Sequence, residues 1–112
     1  MNEVQTCIHN RKSIRAYKPE QLSKADLDAI LDAGIWAPTA RHAQEIRFTV
    51  VQNPELMHEL TADFTANDPR GAKYGNFYYS APTFVFLSGP RDFPFTEIDG
   101  GIGPLNLHTK AH

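Results

Sequence analysis

Two stretches of this 112-residue chain read as β-strands, and two strands make a poor sheet by themselves. The first, Arg47-Phe48-Thr49-Val50-Val51-Gln52, is β-branched and aromatic. The second, Thr83-Phe84-Val85-Phe86-Leu87-Ser88, is apolar nearly throughout, which predicts a central strand. With a helix and a long connection between them, they point to an α+β or α/β layer structure. Such a sheet needs completing, by further chain or by a partner chain.

The helices are marked by their ends. Val4, Cys7 and Ile8 share one helical face behind Asn2, a candidate cap, and Cys7 reads as a small core residue rather than a nucleophile. Ser23 caps a second helix, with Asp26 in its first turn. Leu27, Ile30, Leu31 and Ile35 form its apolar face, and Gly34 and Pro38 bring it to a stop. Asn53-Pro54 starts a third, with Leu56, Met57 and Leu60 on its buried side. From Thr65 to Tyr79 the chain is polar and aromatic, with Pro69, Gly71 and Gly75, and reads as a loop. Gly100-Gly101-Ile102-Gly103 follows Asp99 rather than a strand, so it reads as a helix start or a flexible turn. Pro104 sits where such a helix needs a backbone donor, and the ending Leu107 to His112 shows no helical apolar face. A helix starting at Asp99 is therefore expected to abort.

Length allows one domain, residues 1–112. A net charge of −2 gives no global positive field for nucleic acid, so such a role would need a local patch. No apolar run approaches the ~20 residues of a membrane span, and Met1 to Gln5 lack the blocks of a secretory signal. One cysteine allows no intrachain disulfide, and a cytoplasmic protein is the simplest expectation.

Chemistry concentrates in two places. Arg11-Lys12-Ser13-Ile14-Arg15 offers two guanidinium forks and a hydroxyl at alternate positions, which an extended chain projects to one side. A phosphate dianion needs such a convergence of donors. On spacing alone a solvated basic turn, with Arg15 paired to a local carboxylate, is the stronger reading. The second place is Ala37-Pro38-Thr39-Ala40-Arg41-His42-Ala43-Gln44, a loop between helix and strand. Thr39 and Gln44 can donate and accept, which suits the edge of a planar heterocycle. Trp36 beside it reads first as a core residue. The five histidines are scattered without metal-ligand spacing.

The order of these parts resembles the nitroreductase family of FMN-dependent oxidoreductases. R-x-S-x-R is followed by Tyr17 and Pro19, then the capped helix ending in Trp36-Ala37-Pro38-Thr39, then Gln44 and a strand. Downstream, Ser80-Ala81-Pro82 leads into the second strand, and Asp99-Gly100-Gly101-Ile102 with Asn106 is similar to the start of the family's central helix. The resemblance implies an α+β fold, a three-layer α/β/α sandwich. Its sheet would be completed by missing or partner segments, with the domain incomplete at its C-terminal end. It implies a homodimer with FMN at the interface. Residues matching Arg11, Lys12 and Ser13 would hold the phosphate and ribityl chain, with Arg15 near the pyrimidine edge of the ring. Pro38, Thr39 and Gln44 would approach the flavin of the other subunit. NAD(P)H would be the electron donor and a nitroaromatic, quinone or similar small molecule the acceptor, with no catalytic side chain, nucleic acid or membrane required. His42 stands where the family commonly has asparagine, and Glu45-Ile46 where it has Pro-Trp. The alternatives are a non-catalytic flavin-binding or dimerisation module and, less favoured, a nucleic-acid patch around Arg11, Lys12, Arg15, Tyr17 and Lys18.

Overall fold

The structure, a computed structural model, describes residues 1–74 and 78–111. Its elements are α1 (Glu3–Asn10), α2 (Lys24–Ile35), β1 (Arg47–Val51), α3 (Pro54–Asn67), α4 (Pro69–Tyr74), β2 (Phe84–Ser88) and α5 (Thr96–Ala111). A single 3-10 turn, Ala40–His42, lies between α2 and β1. This is an α+β chain in which helix predominates.

The three predicted caps are in place, each for a local reason. Asn2 accepts from the Gln5 amide while the Gln5 side chain accepts from the Asn2 N–H, a reciprocal pair that satisfies two otherwise orphaned donors. The Ser23 hydroxyl accepts from the Asp26 N–H at 3.1 Å. The Asn53 side chain accepts from Glu55 and Leu56, with Pro54 opening α3.

The chain divides into two compact units. The first comprises Met1–Ser13, Ser23–Thr49 and the chain from Phe86 onward. Here α2 packs against α5 through small residues. A methyl group at Gly34 would stand 2.7 Å from Leu107 Cδ2 and 3.0 Å from Phe48 Cε1. One at Gly103 would meet Leu87 Cδ2 at 3.2 Å. These glycines let α5 lie close to α2, Phe48 and Leu87, and Leu107 is buried there. The second unit comprises Ile14–Leu22 and Val50–Val85, with Val51 and Met57 buried. Gln21 ties it together. Its side-chain amide donates to the Pro82 carbonyl at 2.8 Å, and its oxygen accepts from the Thr83 hydroxyl and the Leu22 N–H.

Several expectations need correction. The stretch from Thr65 is not a loop. Helix α3 runs on to Asn67, and Pro69 opens α4 because Asp68 between them serves both ends. The Asp68 N–H bonds to the Phe64 carbonyl, and its carboxylate accepts from the Arg70 N–H at 2.8 Å. Gly75, part of the same expectation, lies outside the described residues. Nor does the last helix abort. Helix α5 starts at Thr96 and passes through Pro104. The Thr96 hydroxyl is bonded to the Pro90 carbonyl at 2.6 Å, and Gly103, Asn106 and Leu107 fasten the downstream turns to α2 and the sheet. Packing thus outweighs the one donor that proline lacks. Trp36 is not in the core but 78% exposed, and Ile35 and Leu56 are exposed too. Cys7 is likewise exposed on α1, which buries no residue. Among the described residues β1 and β2 form a two-stranded sheet, which has edges only. No helix among those residues is long and apolar enough to cross a membrane.

Candidate functional site

Arg11 follows the last residue of α1, and its extended backbone (φ −59°, ψ 134°) turns the chain out of the helix. Residues 11–18 carry no regular structure, and Arg11, Lys12, Ser13 and Arg15 are all exposed. Arg11 and Lys12 line an open concavity with His9 and Asn10. The two ion pairs among the described residues are Lys24–Asp28 and Arg70–Asp68. Among the described residues Arg15 thus has no carboxylate partner, and neither do Arg11 and Lys12, so all three are solvated. Cations in this state can meet a phosphate without first breaking an ion pair. Arg11, Lys12 and Ser13 belong to the first unit and Arg15 to the second. Beside Arg15, the Tyr17 hydroxyl donates to the Ile14 carbonyl at 3.0 Å and bends the segment locally.

The loop after α2 is built differently. Arg41, His42 and Gln44 all have left-handed backbone, at φ 57°, 52° and 53°. That conformation costs a residue with a Cβ roughly 1–2 kcal/mol each. It persists because several bonds define it. The Thr39 carbonyl accepts from His42 N–H at 3.2 Å, and the Ala40 carbonyl from Ala43 N–H at 3.1 Å. The Thr39 hydroxyl accepts from Gln44 N–H at 3.2 Å. Ala40 N–H in turn donates to both carboxylate oxygens of Asp99, at 3.1 and 3.3 Å. The Arg41 guanidinium lies 5.5 Å from the centre of the Phe95 ring.

Gly34, Ala37, Thr39, Gln44, Phe48 and Asp99 help to line a cavity of about 210 Å³ in the first unit. Pockets that enclose a whole drug-sized ligand run to about 300–1,000 Å³, so this one can take an edge of a nucleotide cofactor but not all of it. Most of its lining is apolar, and Thr39, Gln44 and Asp99 are its polar members. The pairing of Thr39 with Gln44 suits the edge of a heterocycle above an apolar face. Among the described residues no group of histidine, cysteine, aspartate and glutamate could hold a metal ion.

Of the residues singled out from sequence, Thr39 and Gln44 are bonded to each other, and Pro38 is exposed beside them. Arg11 and Lys12 line a separate concavity, so the structure does not gather the two groups around one pocket. Asp99 was missed as a site residue. It is 3% exposed and its partner lies 59 residues away, so no local pattern could reveal it.

A family model for nitroreductases matches residues 8–112. An Archaeoglobus fulgidus protein provisionally named NADH dehydrogenase/NAD(P)H nitroreductase is 37% identical over 65 residues, covering 58% of this chain and 37% of that protein. One of the same provisional name from Methanothermobacter thermautotrophicus is 28% identical over 114 residues, covering 98% and 56%. The crystal structure of a nitroreductase with bound FMN from Bacteroides fragilis superposes with a TM-score of 0.89 at 31% identity, covering 99% of this chain and 65% of that one. The chain thus spans less than two thirds of the length of each. The match to the family model across both compact units, joined to that superposition, shows that this chain belongs to the nitroreductase family and has its α+β fold.

Proposed function

We propose that this chain is part of an FMN-dependent oxidoreductase that passes electrons from NAD(P)H to a nitroaromatic, quinone or similar acceptor. The observation that carries this is the exposure of Arg11 and Lys12, which have no carboxylate partner among the described residues, around an open concavity at the end of α1. Their charges would neutralise the phosphate dianion while Ser13 donates to it. Arg15, likewise without a carboxylate partner among the described residues, would stabilise negative charge on the ring. Thr39 and Gln44 would meet a ring edge, and Phe48 and Gly34 in the same lining would keep water from it. The flavin, when bound, supplies the redox chemistry. Support for this cofactor comes from relatives whose names include FMN or NAD(P)H nitroreductase. Donors of this kind are cytoplasmic metabolites, which favours that location.

The functional unit in this proposal is a homodimer, with residues 1–112 acting as one domain of each protomer. Three features support it: two separate concavities, a two-stranded sheet, and uncovered apolar side chains on α1 (Val4, Ile8) and α5 (Ile98, Leu105). A second copy could bring the Thr39–Gln44 loop to the flavin held at Arg11. The test is spectroscopic. The purified chain should carry or take up FMN and show the visible bands of oxidised flavin. Those bands should bleach anaerobically with NADH or NADPH and return on adding a quinone or nitroaromatic. Binding without bleaching would leave a passive flavin binder, and a colourless chain that ignores added FMN would overturn the proposal.

A further inference from the structure

We propose that Asp99 is a positioning residue whose carboxylate holds the Thr39–Gln44 loop in the conformation that meets the flavin. The inference rests on the flavin site proposed above and adds to it a residue outside the loop.

Three of the six residues from Thr39 to Gln44 have left-handed backbone, and none of the three is glycine. A segment of that kind relaxes unless its surroundings over-determine it. The bonds from Thr39 to His42 and Gln44 fold the loop on itself but attach it to nothing else. Among the described residues, attachment comes from the first turn of α5 and the residue before it. Asp99 takes the Ala40 N–H, Phe95 lies under Arg41, and Asp99 and Phe95 are joined by a helical bond of 2.9 Å. Of the two anchors, the Arg41 contact involves an exposed side chain, whereas Asp99 is buried. A charged acceptor out of water makes the stronger bond.

The choice of residue is informative. A buried carboxylate costs stability unless donors compensate it, and Ala40 N–H is the donor Asp99 meets among the described residues. For stability alone, an apolar side chain of similar volume would serve as well or better. A carboxylate here makes sense if the position of Ala40, and with it Thr39 and Gln44 in the cavity lining, is what matters.

Asp99→Ala and Asp99→Asn test this, the asparagine keeping an acceptor oxygen in the same place. Two measurements are made on the full chain: amide hydrogen exchange at residues 40–44 without flavin, and titration with FMN followed by visible circular dichroism. Exchange should speed up and the FMN Kd rise by about tenfold or more in Asp99→Ala, as expected for losing a charge-assisted bond. The dichroism of bound flavin should change with it. Asp99→Asn should recover most of both and melt with the unsubstituted chain. Unchanged exchange in both variants would overturn the proposal whatever the flavin does. If Asp99→Ala fails to fold, Asp99→Leu, which fills a similar volume with no acceptor, decides: faster exchange than in the unsubstituted chain supports the tether, equal exchange overturns it. Faster exchange with unchanged Kd and dichroism would remove the positioning role. If the unsubstituted chain binds no FMN, the flavin reading falls and takes that role with it. Exchange then decides alone whether Asp99 holds the loop.

Discussion

The side-chain amide of Asn106 on α5 donates at 3.0 Å to the backbone carbonyl of Ala33 on α2, 73 residues away. That carbonyl is one of the last four of α2, the ones a helix cannot satisfy internally. Asn106 is thus a side-chain cap supplied from another helix. Asn106→Ala should cost about 1–3 kcal/mol, the range for stranding a partly buried acceptor, read as a lower urea midpoint. Asn106→Asp should do worse, since it sets an anion against the carbonyl. An unchanged midpoint in Asn106→Ala would mean that water replaces the amide freely.

Two glycines should respond oppositely to alanine. At Gly71 a methyl group would run into the Phe64 carbonyl oxygen and stand 2.9 Å from Thr65 Cα, both backbone atoms that cannot swing aside. Gly71→Ala should therefore push α4 off α3 and cost about 3 kcal/mol or more. At Gly100 nothing lies within 4 Å, so alanine there meets open space inside a helix. Gly100→Ala should raise stability by up to about 1 kcal/mol. Thermal melts of the two variants give the comparison.

Loss of Arg11 or Ser13 should act on the cofactor rather than the fold. Arg11→Ala and Ser13→Ala should each weaken FMN binding by about tenfold or more, as for other bonds to a charged group. Neither should move the melting temperature of the flavin-free chain, because both side chains are exposed. Lys24→Ala, which removes an exposed cation paired with Asp28, should leave FMN binding alone. Equal affinity in all three variants would place the phosphate elsewhere.

Acid should reach the junction between α3 and α4 through Asp68. Its side-chain bond to Arg70, helped by the Arg70 backbone N–H, lowers its pKa from 3.8 to about 2. The folded chain therefore binds fewer protons here than the unfolded chain between these values, and stability rises with pH across that window. The contribution is fully present above about 4 and is lost as pH falls through about 2. Asp68→Asn should remove it, so the urea midpoints of the variant and the unsubstituted chain should differ at pH 6 and converge near pH 2.

What the sequence makes legible is what neighbours in the chain decide. Asn2, Ser23 and Asn53 announce three helix starts because a cap needs only the next three residues. The order of Arg11, Ser13, Thr39, Gln44 and the strands likewise carries the family. The rest depends on contacts between distant residues. Pro104 looks like a stop until Gly103 and Leu107 are seen packed against Leu87, Phe48 and Gly34. Pro69 looks like loop chemistry, yet it opens α4 because Asp68 caps that helix while ending α3. Asp99 looks like any acid in a first helical turn until Ala40 is found on it. Trp36 and Cys7 fit apolar patterns that a chain can bury only where something covers them.

Trp36, the sole tryptophan, stands just outside α2 and beside the Thr39–Gln44 loop, largely in water. The chain thus carries its own optical reporter. Uncovered, it should emit at the red end of the tryptophan range and be quenched readily by iodide. A protein surface closing over it should shift that emission to the blue and shield it from iodide, whereas a nearby flavin should dim it by energy transfer. One cuvette experiment can therefore tell self-association from cofactor uptake, with no label attached.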